Sequence, residues 1–225
     1  MLALSQAELG ILDWISFHLH SRFLDTVMPI ITWLGDKGLL WIVLGLGILF
    51  FQKGKRDTGF RVLLALLLGL LICNLLLKNA VGRIRPFVLN DAVQLLVTPP
   101  SDPSFPSGHT TAAFAAATVL ICDHWKGRWI VLIVAILVAF SRLYLYVHFP
   151  TDVICGALIG IFCGWLSGLL WQKVIDPYLQ KKKSMKIPPS ISTFEKRNGG
   201  GDSTIYRIGE PVLFLRKYFY NNMVC

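Results

Sequence analysis

Charged residues are scarce in this chain of 225 residues. Asp, Glu, Lys and Arg together make up 16% of it, whereas soluble domains carry about 25%, and the mean hydropathy is +0.59. This shortage of charge excludes an ordinary water-soluble fold. The hydrophobic share of 54% excludes an intrinsically disordered chain, because disordered segments are poor in apolar residues. Acidic residues are scarcer than basic ones, 13 against 22, which leaves a net charge of +9.

The cysteines do not have the pattern of a disulfide-rich protein. The chain has five cysteines, which is an odd number, and no two of them stand in C-x-x-C spacing. Most of them lie inside apolar runs. We therefore expect free thiols packed as small hydrophobic residues, and no disulfide framework.

The sequence contains several long apolar runs. A helix needs about 20 residues to cross a hydrocarbon layer of ~30 Å, and four runs approach that length, with a fifth, shorter one before them. The sequence therefore predicts an all-α fold, a polytopic membrane helix bundle of five to six transmembrane helices. The amphipathic stretch 4–31 is either an interfacial helix or a hairpin that completes the six. The five runs are 39–51, 62–77, 110–122, 129–140 and 153–171.

The placement of basic residues predicts the orientation. Short cytoplasmic loops carry an excess of Lys and Arg, and the connections that hold such residues all fall on one side if every run crosses. We expect a membrane domain over 1–175 in the plasma membrane and a basic cytoplasmic tail over 176–225. Cations beside membrane helices favour anionic lipid as their partner, not nucleic acid, and the oligomeric state stays open. The basic residues concerned are Lys53, Lys55, Arg56, Lys126, Arg128, Lys173 and Lys181 to Lys183.

Polar residues gather in the connections that face outward, and the first holds cations. In KNAVGRIRPF, Lys78 and Arg85 are seven residues apart, which is two helical turns, so we expect both on one face of a helix that Pro86 ends. Arg83 lies between them and is an auxiliary contact at most. Taken alone, such cations would be read as side chains that snorkel to the interface.

The second polar stretch, FPSGHTT, opens an apolar run. Ser107 is placed to cap a helix that begins at Gly108, and His109 lies in its first turn. A helix start of this kind offers free N–H groups and a positive dipole end to an anion. Taken alone, the stretch would be read as an ordinary capped helix start, but it also offers an anion site beside an imidazole.

The third polar stretch is SRLYLYVHFPTD. Arg142 lies near the end of a membrane run, where a charge is costly unless it is paired or faces a polar cavity. His148 and Asp152 flank Phe149-Pro150-Thr151, and a carboxylate beside an imidazole selects its tautomer and stabilises its protonated form. Together the stretches bring three cations, an anion-binding helix start, two imidazoles and one carboxylate to one membrane face. This combination resembles a phosphoryl-transfer site, in which the negative equatorial oxygens need cationic and N–H donors.

These stretches resemble the three signature motifs of the type 2 phosphatidic acid phosphatase family. The motifs are K-x6-R-P at 78–86, P-S-G-H at 106–109 and S-R-x5-H-x3-D at 141–152. The family consists of integral-membrane lipid phosphatases that share their site with vanadium haloperoxidases and bacterial acid phosphatases. The resemblance implies that His148 is the nucleophile and forms a phosphohistidine, that Asp152 orients it and that His109 is the general acid. It also implies no metal and no cofactor, and a phosphate-binding set of Lys78, Arg85, Ser107, Gly108 and Arg142.

So much apolar sequence indicates a lipid phosphate as substrate. The candidates are undecaprenyl diphosphate, which we favour, phosphatidylglycerol phosphate, phosphatidate and lipid A 1-phosphate. Two other functions stay open: a lipid-phosphate binding or transport protein, and a metal-dependent hydrolase with His109, His148 and Asp152 as ligands. A serine hydrolase built on Ser107 is disfavoured because G-x-S-x-G is absent from the sequence.

Overall fold

A computed structural model describes residues 2–90 and 92–179, and within these ranges the chain is helical and contains no strand. This confirms the all-α prediction. The tail beyond residue 179, for which a cytoplasmic position is predicted, lies outside the described residues. The α-helices are α1 (Leu2–Leu19), α2 (Arg22–Leu34), α3 (Leu39–Phe51), α4 (Arg56–Gly69), α5 (Lys78–Val81), α6 (Pro86–Leu89), α7 (Gly108–Cys122), α8 (Arg128–Tyr144) and α9 (Pro150–Leu170).

Each of the five predicted runs lies within helix, but the helices differ in their ability to cross a membrane. In the described part of the chain, two helical stretches are long and apolar enough to span, Lys53–Leu89 and Pro150–Leu179. A third span arises if α2 and α3, which are bent by 52° from each other, count as one. Helix α7 is apolar but has 15 residues, fewer than the about 20 that a span needs. The count of five to six spans therefore stays a prediction.

The amphipathic stretch near the N-terminus forms two helices. Helices α1 and α2 are separated by His20 and Ser21, and the Ser21 hydroxyl caps α2 by accepting a hydrogen bond from the Leu24 N–H at 3.4 Å. The apolar face of α1 is buried against the segment that joins α8 to α9. Leu12 packs in one cluster with Tyr146 and Phe149, so this helix supports the chain on both sides of His148.

The core is built around α7, whose alanines let neighbouring helices approach closely. Ala113, Ala115 and Ala116 are fully buried, and α9 brings a row of glycines against them. A Cβ atom added at Gly160 would lie 2.5 Å from the Thr111 carbonyl oxygen and 2.9 Å from the Ala115 nitrogen. Small residues at four-residue spacing allow such contact between membrane helices, and here they fix the start of α7 next to the start of α9.

We expect Gly160→Ala to destabilise the protein by about 1 to 3 kcal/mol, because the added methyl group meets backbone atoms that cannot move aside. Thermal unfolding in detergent measures the effect as a lower midpoint, by about 2–4 °C for each kcal/mol in a protein of this size. Gly47→Ala in α3 is the matched control, since a Cβ there meets nothing within 4 Å. Equal midpoints for the two variants would contradict this account of the α7–α9 contact.

Polar contacts join the other end of α7 to α4 and to the loop that precedes it. The Arg61 guanidinium pairs with the Asp123 carboxylate, and the Lys55 ammonium group donates to the Asp123 carbonyl oxygen at 3.1 Å. Two of the basic connections used to predict orientation, 53–56 and 123–128, therefore meet at one end of the bundle.

The prediction about the cysteines is correct for three of them. Cys73, Cys155 and Cys163 are free thiols. The prediction is wrong for Cys122, which is disulfide-bonded, and Cys225 lies outside the described residues.

Candidate active site

The three polar stretches converge on one cavity of about 1300 Å³. Of the eight predicted site residues, six line it and two are buried beside it. Ser107 and Asp152 are the two fully buried ones, each with no exposed surface. The loop 95–102, between the first two motifs, forms one wall. The six lining residues are Lys78, Arg85, Gly108, His109, Arg142 and His148.

His148 lies at the polar end of this cavity with its two ring nitrogens in different surroundings. The Nδ1 atom is 3.6 Å from the Asp152 carboxylate and 3.5 Å from the Ser104 hydroxyl. The Nε2 atom is 3.3 Å from the Arg85 guanidinium. Burial lowers the pKa of His148 to about 3, and the positive charges of Arg142 and Arg85 act in the same direction. The hydrogen bond and charge of Asp152 oppose this shift. The neutral ring with its proton on Nδ1 leaves a free electron pair on Nε2.

Asp152 is held in place by donors from three directions. The Ser104 hydroxyl and the Phe149 N–H donate to Oδ2, the latter at 2.9 Å. An Arg83 N–H donates to Oδ1 at 2.7 Å. Because Asp152 is the third residue of α9, its bond to the Phe149 N–H also caps that helix. The helix start and the orientation of the carboxylate are therefore fixed by the same contacts.

Lys78 and Arg85 come together, but not on one helix face as predicted. Helix α5 ends at Val81 because Gly82 adopts a left-handed conformation with φ 59°. Pro86 then opens the short helix α6, where its missing N–H costs nothing. The sequence-based prediction assumed a helix that continued to Pro86, and Gly82 breaks that continuity. The two cations meet through a third residue instead.

That third residue is Asp102, on the loop before the second motif. Its carboxylate pairs with the Lys78 ammonium group and accepts from the Arg85 guanidinium at 2.9 Å, and its carbonyl oxygen accepts from Arg85 Nε at 2.7 Å. Burial by itself raises the pKa of Asp102, but the hydrogen bonds and charges of Lys78 and Arg85 outweigh it and lower the pKa to about 2. The carboxylate is therefore ionised at neutral pH, and its side chain is 51% exposed.

Arg142 and His109 face the cavity from α8 and α7. The Arg142 guanidinium donates to the Thr32 hydroxyl of α2, while its Nε has no hydrogen-bond partner. His109 is 3.8 Å from the Asp36 carboxylate, measured from Nε2 to Oδ1. Both side chains line the same cavity as His148.

Helix α7 begins at Gly108 as predicted, but Ser107 does not cap it with its side chain. The Ser107 hydroxyl accepts from the Thr110 hydroxyl at 3.0 Å and makes no hydrogen bond to the backbone of the first turn. The N–H groups at this helix start are therefore not consumed by a side-chain cap. A Cβ at Gly108 would lie 2.9 Å from the Asn74 side-chain oxygen, so that side chain would have to shift.

Three further residues of the site, Asp102, Ser104 and Glu8, were not found from the sequence, and Arg83 was expected to be an auxiliary contact at most. Asp102 and Ser104 contact predicted site residues directly, Arg83 holds Asp152, and Glu8 pairs with Arg83. The position of an acidic residue between the first and second motifs is the one signal that could have pointed to Asp102. Glu8 lies in a stretch that shows only amphipathic character, so no signal in the sequence pointed to it.

The three residues considered as metal ligands, His109, His148 and Asp152, do not share one set of partners. Within residues 2–90 and 92–179, no group of three His, Cys, Asp or Glu side chains is placed to hold a metal ion. Asp152 faces Arg83 and Ser104 as well as His148, whereas His109 faces Asp36. The three residues considered as metal ligands are thus turned toward different partners.

Apolar helices around a cavity with cations, two imidazoles and a buried carboxylate define an integral-membrane protein with a phosphoryl-transfer type of site. The comparison with known families agrees with this class. The model of the PAP2 superfamily matches residues 58–176, and the chain belongs to that superfamily. The resemblance inferred from the three motifs is thereby confirmed.

Curated relatives and solved structures of this family are similar to the chain. It is 33% identical over 129 residues to an undecaprenyl-diphosphatase of Sulfolobus acidocaldarius. That alignment covers 57% of this chain and 62% of that protein. It is 31% identical over 149 residues to the undecaprenyl-diphosphatase BcrC of Bacillus subtilis, which covers 65% and 75%. The transmembrane PAP2-type phosphatidylglycerolphosphate phosphatase of Bacillus subtilis superimposes with a TM-score of 0.63 at 31% identity, covering 77% of this chain and 89% of that one.

Proposed function

We infer that this protein is a membrane lipid phosphatase that hydrolyses a phosphomonoester or diphosphate of a lipid through a phosphohistidine at His148. The observation that carries this proposal is the position of His148 Nε2, 3.3 Å from the Arg85 guanidinium at the polar end of the cavity. A nucleophile there meets a phosphoryl group whose oxygens are bound by the surrounding cations. Family membership supports the same reaction class.

The shape of the cavity supports a lipid as substrate. Its polar end holds the cations and imidazoles, and its other walls come from the apolar faces of α3 and α4. A phosphate head group at the polar end would leave its hydrocarbon chain against these walls and the surrounding bilayer. The apolar lining residues include Ile42, Leu63, Leu66, Leu67 and Leu70.

In the first step, His148 Nε2 attacks phosphorus and the bond from phosphorus to the lipid oxygen breaks. His109 donates a proton to the departing oxygen. Asp152 accepts from Nδ1–H and stabilises the positive charge that develops on the ring. Lys78, Arg85 and Arg142, with Ser107 and the Gly108 N–H, bind the equatorial oxygens, where negative charge is spread in the transition state.

In the second step, water replaces the lipid as the attacking group. His109, now neutral, removes a proton from the water as it attacks the phosphorus. The bond between phosphorus and Nε2 breaks, inorganic phosphate is released, and the His148 ring returns to its starting tautomer. The protons balance, because the one that His109 gives to the lipid is replaced by the one it takes from water.

The distribution of basic residues supports a site on the outer face of the plasma membrane, in a bundle of five to six spans. The basic connections 53–56 and 123–128 meet at the end of α7 opposite to Gly108, where Lys55 donates to the Asp123 carbonyl oxygen. Positive loops favour the cytoplasmic side. The site at Gly108 and His109 then faces outward, and the tail after α9 starts on the cytoplasmic side.

Undecaprenyl diphosphate is the substrate that we favour among the four candidate lipids. Two relatives are named for its hydrolysis, and a solved structure of the family is named for phosphatidylglycerol phosphate. Side-by-side phosphate release from undecaprenyl diphosphate, phosphatidylglycerol phosphate, phosphatidate and lipid A 1-phosphate by the purified protein in detergent ranks them.

We expect that phosphate release survives excess EDTA and is blocked by vanadate. The cations of the site already neutralise the phosphoryl oxygens, so no metal ion is needed, and vanadate adopts the five-coordinate geometry of the transition state. Enzyme assays with and without each reagent measure this. Loss of activity with EDTA and its return with zinc would favour the metal-dependent hydrolase. Lipid binding without any phosphate release would favour a carrier.

A further inference from the structure

Arg83 lies directly behind Asp152, on the side away from His148. One of its terminal nitrogens, Nη1, donates to Asp152 Oδ1 and to the Thr151 hydroxyl, each at 2.7 Å. Its guanidinium carbon is 3.9 Å from the centre of the Phe149 ring. Hydrogen bonds and stacking therefore fix the Arg83 head group against the segment that carries the predicted nucleophile.

Glu8 of α1 completes this arrangement. Its side chain is 4% exposed and pairs with the other terminal nitrogen of Arg83. The same carboxylate accepts from the Thr151 N–H at 2.8 Å and from the Thr151 hydroxyl at 2.6 Å. Glu8 lies outside residues 58–176, which the family model matches, and outside the three motifs. A helix that precedes the family region thus reaches the back of the site.

The charges of this chain of contacts decide what Asp152 can do. Arg83 beside Asp152 forms a pair with no net charge, and such a pair is a poorer partner for a positive imidazole than a lone carboxylate. Glu8 adds a second negative charge, so the group of three carries one net negative charge. The attack of Nε2 on phosphorus makes the His148 ring positive. The net negative charge of Glu8, Arg83 and Asp152 lies on the Nδ1 side of that ring and stabilises it.

We propose that Glu8 and Arg83 are positioning residues for the nucleophile, and that Glu8 restores the negative charge behind His148 that Arg83 cancels. This proposal rests on the proposed function, since it concerns the same reaction. Neither side chain touches the substrate. Arg83 fixes the position of Asp152. Glu8 offsets the positive charge of Arg83, so that this charge does not oppose the formation of a phosphohistidine.

Glu8→Gln tests the charge because it keeps the size of the side chain and most of its hydrogen bonds. We expect kcat to fall about 10- to 100-fold, the range for residues that orient a reactive group through another, with KM within about twofold of wild type. Glu8→Asp, which keeps the charge, should recover most of kcat. Inhibition by vanadate, which imitates the transition state, should weaken in Glu8→Gln by about the same factor as kcat, while inhibition by phosphate stays unchanged.

Asp13→Asn is the matched control. Asp13 also lies on α1 and also fastens that helix, by accepting from the Tyr146 hydroxyl at 2.6 Å, but it has no link to Asp152. We expect this variant to keep kcat within about twofold. If Asp13→Asn and Glu8→Gln lose kcat equally, or if Glu8→Gln keeps wild-type kcat, α1 has only a structural role and the proposal is overturned.

The double variant Glu8→Gln/Arg83→Gln keeps the test decisive if Glu8→Gln does not fold, because it removes both charges of a buried pair together. We expect its kcat to lie below that of wild type, because the Arg83 contact that fixes Asp152 is lost, but by no more than about 10- to 100-fold, because Asp152 alone carries the same net charge as the group of three. A double variant with wild-type kcat would show that Arg83 does not position Asp152, and it would overturn the proposal. Wild-type protein that releases no phosphate from any lipid would instead refute the proposed function.

Discussion

His148→Asn should reduce phosphate release by at least about 10⁴-fold, the scale seen when a covalent nucleophile is removed. The asparagine fits the space, but its amide has no electron pair in place of Nε2, 3.3 Å from Arg85, so the phosphoenzyme cannot form. Two measurements check this: release of phosphate in steady state, and acid-labile phosphate on the protein after a single turnover. Lipid binding should persist, since the cations remain.

His18→Asn serves as its control, because His18 is an exposed histidine of α1 that contacts the Trp14 carbonyl oxygen at 3.0 Å and lies away from the cavity. We expect full activity from this variant. Normal turnover by His148→Asn would remove His148 from the mechanism. Parallel loss in both variants would mean that the exchange of histidine for asparagine harms folding.

Arg85→Lys should lower kcat/KM by about 10²- to 10³-fold, as expected for the loss of one well-placed donor to a developing anion. Arg85 makes four contacts that an ammonium group cannot reproduce together: two with Asp102, one with the Val147 carbonyl oxygen at 2.7 Å and one with His148 Nε2. A lysine keeps the charge but lacks the planar fork.

The matched control is Arg56→Lys, in the exposed basic connection at the other end of the bundle, and it should keep wild-type kcat/KM. The assay is phosphate release over a range of lipid concentrations in detergent. If Arg85→Lys stays within about threefold of wild type, Arg85 acts by charge alone and the geometry of its donors does not matter.

The polar residues of the candidate site were predictable because their types and spacing reflect the chemistry proposed for them. His148 and Asp152 are four residues apart across the start of a helix, so they had to be neighbours. His109 and Gly108 lie in a helix start whose position is set by Pro106 and Ser107. All of them are found at the same cavity or, for Asp152, next to it.

The contacts that hold these residues were less predictable, because they depend on residues far apart in the chain. Glu8 and Asp152 are joined through Arg83, and no local pattern relates the three. The prediction that Lys78 and Arg85 share one helix face was wrong, because α5 ends before Arg85 at the left-handed Gly82. The spacing of the two cations does not show where the helix ends. The hydroxyl of Ser107 likewise finds a nearer partner in Thr110.

The sequence predicted that the apolar runs are helical, but it did not predict the lengths of the helices. Hydrophobicity identifies a segment that avoids water, whereas the length needed to cross is set by the bilayer and by how the helix continues at either end. Val62 to Leu77 is part of a helical stretch that extends from Lys53 to Leu89. By contrast, α7 ends after 15 residues.

The pairing of Asp102 with Lys78 and Arg85 has a consequence for turnover. A carboxylate that is half exposed and sits on a proline-containing loop acts as a built-in counter-ion for these cations. In the proposed reaction, departing inorganic phosphate would exchange with this tethered carboxylate, and Lys78 and Arg85 would not be left as unpaired positive charges. A site that binds a phosphoryl group tightly in the transition state would then still release inorganic phosphate and accept the next lipid.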